Sequence, residues 1–179
     1  MLAGELYDPL DAELVAERRR ARLLFAALND TRDDEQDERA RLIKELIPAS
    51  GRGLWIEPPF YCDYGTNITL GDNVFFNFNC VVLDVVPVLI GSSVLFGPAV
   101  QVYAATHPLS AKERRSRLES GKRVEIGDEV WIGGAAVICP GVRIGARSVI
   151  GAGSVVTRDI PEAVFAAGNP CRVVREITE

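Results

Sequence analysis

The one imidazole in this chain of 179 residues belongs to His107. A single histidine can act as a general base near neutrality, since its ordinary pKa is about 6.5, or it can be a structural side chain; residue type alone leaves both open. It does exclude chemistry that needs several imidazole ligands from one chain. The cysteines Cys62, Cys80, Cys139 and Cys171 form no CxxC pair. Their spacing fits neither a zinc site nor a redox dithiol, and they read as reduced thiols.

A reactive side chain needs a scaffold, and the sequence supplies one by repetition. Ile126, Ile132, Ile138, Ile144, Ile150 and Val156 recur every six residues, and Gly127, Gly133, Gly145 and Gly151 follow four of them. Four positions beyond the aliphatic residue stand Val130, Ala136, Val142, Ser148 and Ser154. An even offset puts them on the same side of an extended chain, so both positions are expected to point inward. The register continues upstream as Leu70, Phe76 and Val82 and, after a slip of two residues, as Ile90, Phe96 and Val102. A helix cannot use this period, because successive repeats would turn by about 600° and scatter around its surface. Short straight faces joined by turns at the Gly and Asn positions can, and equivalent side chains then stack into interior columns. The period therefore predicts a mainly β chain, a parallel β-solenoid. Cys139 lies in the repeat frame and is expected to be buried.

Residues 1–50 are different in kind. They hold 8 basic and 12 acidic side chains, and Asp11 to Leu46 contains no Gly or Pro. Leu14, Leu24, Phe25 and Leu28 fall near helical spacing, with Asn29 and Asp30 as a break, so two helices are expected over residues 1–50, covering one end of a solenoid at 51–179. The run Arg18, Arg19, Arg20, Arg22 reads as a solvated helix face. His107 follows the frame residue Val102 and opens a charged stretch, 107–123, without an aliphatic column. That stretch must leave the solenoid as a loop, either a lid or arm with a function or a tolerated insertion.

Composition narrows the partners. With 20 Lys and Arg against 25 Asp and Glu the net charge is −5, which argues against a nucleic-acid or anionic-membrane surface as the main partner. The apolar run Val85 to Ile90 is broken by Pro87, and nothing approaches the roughly 20 apolar residues of a membrane span. The opening MLAGELYDPL lacks the cationic start and apolar core of a signal peptide, so a cytoplasmic protein is expected.

The hexapeptide runs, together with PPFYCDYG at 58–65, NFN at 77–79, ATHP at 105–108 and VWIGGAAVICPGVRIG at 130–145, resemble the hexapeptide-repeat acetyltransferases, above all the maltose, galactoside and nodulation-factor O-acetyltransferases. The likeness runs from about Gly4 to Ile177. It implies a left-handed parallel β-helix with an N-terminal helical cap, a protruding loop, and a homotrimer with active sites between subunits. It also implies that acetyl-CoA is the co-substrate, that no metal is used, and that the acceptor is a sugar hydroxyl. In similar enzymes the imidazole corresponding to His107 removes the proton of the acceptor hydroxyl as it attacks the thioester. Asn77 matches a group that holds the reacting hydroxyl, Asp63 and Asp8 match groups that bind sugar hydroxyls, and Glu119, in LESGK, matches a support for the imidazolium or an acceptor contact. Read without the resemblance, Asn77 and Asp63 are turn residues and Asp8 belongs to a helix start. For acetyl-CoA, Trp131 matches an aromatic beside the groove, and Gly134 and Ala152 match amides that meet the thioester or pantetheine. Thr157, Arg158, Arg172 and Arg175 match positions near the nucleotide and phosphates, and Asn169 and Pro170 set a turn in the closing segment.

Three other readings use the same solenoid. Acetylation of a non-sugar or antibiotic-type hydroxyl keeps the imidazole and changes only the acceptor. A gamma-type carbonic anhydrase needs three histidines around zinc, which one His per chain does not supply. A non-catalytic scaffold or CoA-binding module would have no use for His107, Asn77 and Asp63 together.

Overall fold

The computed structural model describes residues 1–178. From Trp55 onward the repeat residues fall into three interior columns, each the buried side of one sheet. Ile56, Phe76, Phe96, Ile132, Ile150 and Ala166 stack in parallel register on the first face. Cys62, Val82, Val102, Ile138 and Val156 stack on the second. Leu70, Ile90, Ile126 and Ile144 stack on the third, which Ile160 extends by a single bridge. All of these side chains are buried, and so are Val130, Ala136, Val142, Ser148 and Ser154. The result is a left-handed parallel β-helix, a three-sided prism in which strands of two to four residues hydrogen-bond in parallel to the coils above and below. No coil can bury its own side chains, so stability resides in the stack. The rings of Phe76 and Phe96 lie parallel, with centroids 4.2 Å apart.

The turn chemistry differs from the expectation. The glycine after each frame residue is not the residue with positive φ. Left-handed backbone falls two positions later, at Glu129 (58°), Ala135 (58°), Arg147 (59°) and Gly153 (69°), and upstream at Asn73, Asn79, Ser93 and Ala99. The frame glycines are there for space. A Cβ on Gly133 would stand 2.5 Å from the Ala152 nitrogen, and one on Gly97 would stand 2.5 Å from the Gly134 nitrogen. The coil above leaves no room for a side chain.

The slip of two residues between Val82 and Ile90 also has a physical role. The longer corner that it creates carries Asp84, which is fully buried and accepts the backbone N–H groups of Asp63 (3.0 Å), Tyr64 (2.9 Å) and Asn67 (3.3 Å). Burial raises its carboxyl to about 6, against the pull of these donors.

Both ends of the prism are covered. Helix α1 (Ala12–Asn29) starts at Asp11, whose carboxylate accepts from Glu13 and Leu14, and it packs with α2 (Gln36–Leu46) on the first coil. Asn29 closes the free edge of the strand Phe60–Cys62: its amide donates to the Phe60 carbonyl at 3.0 Å and its oxygen accepts the Phe60 N–H at 2.8 Å. The arginine run is only half solvated. Arg19 and Arg22 are exposed, whereas Arg18 is drawn down onto the Tyr64 hydroxyl (2.7 Å) and the Pro9 carbonyl, and Arg20 onto the Glu45 carbonyl. Long side chains that reach backbone acceptors fasten the cap, which the spacing of the run does not reveal. At the other end Val164–Ala167 turns through Asn169–Pro170 and pairs antiparallel with Arg172–Glu176.

The excursion leaves the prism at the corner between the second and third faces. Its base is a two-stranded antiparallel pair, Ala105–Thr106 with Ser120–Gly121, and its tip carries the short helix α3 (Ala111–Arg114). Among the described residues no helix is long and apolar enough to cross a membrane.

Candidate active site

His107 follows the strand Ala105–Thr106 directly, so the base of the excursion fixes its backbone. Its side chain is 57% exposed, and its Nε2 lies 4.0 Å from Oε1 of Glu119, which returns on the opposite side of the loop. The Tyr7 hydroxyl holds the other carboxylate oxygen of Glu119 at 3.0 Å. Tyr7 is buried, and burial and the neighbouring Glu119 raise its phenol well above the ordinary range, so it stays a donor. Asp63 sits at the same corner, half-buried. Burial raises its carboxyl, Arg18 and Arg22 lower it, and Glu119 raises it further. Asp8 is exposed on the cap segment and accepts the Leu10 N–H at 2.8 Å; it precedes the helix, whose true N-cap is Asp11. His107 and Glu119 line a cavity of about 730 Å³ with Pro9, Leu10 and the arginines of the loop.

Asn77 is elsewhere. It stands at the corner between the first and second faces, in the column that Gly97, Gly133 and Gly151 occupy in other coils, and its Oδ1 accepts the Phe78 N–H at 2.8 Å. The strand Cys80–Leu83, roughly 13 Å long, separates that corner from the corner of His107. One chain therefore does not bring the imidazole and this amide together. Gly134 and Ala152 share the corner of Asn77, one coil apart. Among the described residues neither of their N–H groups donates to another group of the chain, so both are open to an outside acceptor.

The remaining coenzyme candidates are spread along the prism. Trp131 points outward from the first face and is 54% exposed. Thr157 and Arg158 are exposed beyond Val156, at the corner between the second and third faces. Arg172 donates to the Cys171 carbonyl at 2.7 Å, and Arg175 lies over the Phe165 ring. Cys139 is half-buried rather than buried, because it follows the interior residue Ile138 at a corner of the prism and only packs against the core; Cys62, Cys80 and Cys171 are buried, and all four are free thiols. Among the described residues no three His, Cys, Asp or Glu side chains are placed to hold a metal ion. A larger hollow of about 790 Å³ runs over the third face, but it holds none of these site residues. Sequence reasoning missed Tyr7 and the inward turn of Arg18. Their only signal was position, next to Asp8 and within the arginine run.

A capped hexapeptide prism with an exposed imidazole at the root of a protruding loop is the architecture of an acyltransferase solenoid, and the comparisons agree. Residues 1–51 match the maltose acetyltransferase hexapeptide capping motif, and residues 123–158 match the bacterial transferase hexapeptide, six repeats. The chain is 43% identical to the galactoside O-acetyltransferase of Escherichia coli, over 99% of this chain and 87% of that protein. The crystal structure of a maltose O-acetyltransferase from Clostridium difficile 630 superimposes with a TM-score of 0.98 at 46% identity, over 99% of this chain and 95% of that one. A hexapeptide-repeat acetyltransferase of Vibrio cholerae, complexed with acetyl coenzyme A, gives 0.93 at 41% identity over 100% and 97%. The chain belongs to the hexapeptide-repeat acetyltransferase family, among the maltose and galactoside O-acetyltransferases.

Proposed function

We propose that the protein transfers the acetyl group of acetyl-CoA to a hydroxyl of a sugar of the maltose, glucose or galactoside kind, with His107 as general base. The observation that carries this reading is the exposed His107 imidazole at the wall of a cavity, with the Glu119 carboxylate behind it at 4.0 Å. His107 takes the hydroxyl proton as the acceptor oxygen attacks the thioester carbon, and the Glu119 charge favours the imidazolium that forms. An unengaged backbone amide, Gly134 or Ala152, is suited to the oxyanion, where one donor contributes about 3 kcal/mol. Collapse breaks the C–S bond, and the imidazolium returns its proton to the departing thiolate. Direct transfer needs no covalent acetyl-enzyme.

Asn77 lies on a different corner from His107, so the reading places the site between neighbouring copies of a homotrimer, with the imidazole from one copy and the amide from the next. Asp63 and Asp8 then face the acceptor, as groups that each accept several hydrogen bonds from a polyol. Trp131, Thr157, Arg158, Arg172 and Arg175 serve the coenzyme. The test is His107→Ala, assayed by thiol release from acetyl-CoA with a panel of sugars. Turnover should fall by about a hundredfold or more while CoA binding and the fold are kept; near-normal acetylation would remove His107 from the role of base.

A further inference from the structure

We propose that the preferred acceptor carries an anionic group, a phosphate or a carboxylate, and that Arg115 and Arg117 select it. This deepens the acetyl-transfer reading and rests on it. The chain is acidic overall, yet residues 110–117 of the excursion hold Lys112, Arg114, Arg115 and Arg117 against the single acid Glu113. Three of these arginines line the cavity that His107 and Glu119 share. Arg114 is committed to the loop itself, because its guanidinium donates to the carbonyls of Pro108 (3.0 Å) and Leu109 (2.8 Å) and so braces the backbone just after His107. Arg115 and Arg117 are different. Among the described residues neither guanidinium meets a carboxylate or a carbonyl, whereas Arg32, Arg41, Arg52, Arg123 and Arg147 each meet a carboxylate.

Arg117 also adopts φ +64°, a left-handed backbone that is unfavourable for a residue with a Cβ and that glycine would adopt freely. An arginine stands where the backbone favours glycine, and it lines the cavity. The cavity thus has two chemistries. Glu119, to which Asp63 is coupled, suits hydroxyls, and the two uncommitted planar donors in the same lining suit a group with paired anionic oxygens. A neutral sugar would leave Arg115 and Arg117 without a partner. Coenzyme phosphates are the other source of the same chemistry, and the KM of acetyl-CoA separates the two in the test below.

The test compares glucose, glucose 6-phosphate and glucuronate as acceptors at saturating acetyl-CoA, for the intact protein and for the double variant Arg115→Gln/Arg117→Gln. The intact protein should favour an anionic sugar over glucose by at least about tenfold in kcat/KM, and the double variant should lower that ratio by a similar factor. Added salt should lower it as well. Calorimetry of glucose 6-phosphate binding to the intact protein, to the double variant and to His107→Ala separates the two layers of the argument. Binding that His107→Ala keeps and the double variant loses upholds the anion site even if no acceptor is acetylated, in which case the acetyl-transfer reading alone fails. A wild-type ratio at or below unity, a ratio that the double variant leaves unchanged, or absent binding overturns the proposal. A rise in the KM of acetyl-CoA with the acceptor ratio unmoved would assign the arginines to the coenzyme and overturn it as well.

Discussion

Tyr7 and Glu119, 112 residues apart, are joined three times: the phenol donates to Glu119 Oε2 at 3.0 Å, and their backbones exchange hydrogen bonds of 2.9 and 3.0 Å. The cap segment thus grips the returning side of the excursion at the residue that faces His107. A hydrogen bond to a charged group contributes about 1.5–3 kcal/mol. Tyr7→Phe should therefore loosen Glu119 and lower kcat by about tenfold, with the KM of acetyl-CoA nearly unmoved. Steady-state kinetics checks this; a change confined to thermal stability would make Tyr7 a purely structural residue.

The separation of His107 from Asn77 by the strand Cys80–Leu83 makes a prediction about mixed assemblies. His107→Ala and Asn77→Ala should each be nearly inactive alone. Coexpressed in equal amounts and assembled at random, they should regain activity, because about one site in four combines an intact imidazole from one copy with an intact amide from the next. Failure to recover activity in verified mixed assemblies would put both groups to work within one chain.

Gly133 sits in van der Waals contact with the next coil. A methyl group there would stand 2.5 Å from the Ala152 nitrogen and 2.8 Å from the Ile150 carbonyl oxygen, both backbone atoms that cannot rotate away. Gly133→Ala should destabilise the fold by roughly 1–3 kcal/mol or more, read as a lower denaturation midpoint. Gly153, with nothing within 4 Å of an added Cβ but with φ +69°, should tolerate alanine better, at about the 1 kcal/mol cost of left-handed backbone.

Asp84 gives the stability curve a direction. Its folded value of about 6 lies above the unfolded value of about 3.9, so the native state binds the proton more tightly. The contribution of this group therefore falls as pH rises from about 4 to about 6 and is level above. Denaturant unfolding at pH 4.5 and 7, for the intact protein and for Asp84→Asn, isolates it: the variant should lose this part of the pH dependence. An equal pH dependence in both would show that the backbone donors of Asp63, Tyr64 and Asn67 outweigh burial.

The β-helix was legible because a period of six has few physical solutions, and Ile126 to Val156 hold it without interruption. The excursion was legible because the columns stop at Val102 and resume at Val124. Other features were hidden for reasons of distance. Nothing local ties Tyr7 to Glu119, and nothing in the repeat says that Asn77 and His107 belong to one site. The frame glycines were misread as turn formers, since spacing shows where small residues recur but not whether φ or a neighbouring coil demands them. Asp84 carried a trace of its role, for it stands in the slip of two residues that the turn of Asp63 and Tyr64 requires.

Gly134 and Ala152 are successive rungs of one corner, about 4.8 Å apart along the prism axis. A ligand lying along that corner is measured against fixed graduations, and the tool cannot be stretched by fractions of one. Lengthening the reach along that corner would take the insertion of a whole eighteen-residue turn, so among proteins built on this plan ligand length should vary in steps of a coil, while substitution at the corners alters only chemistry.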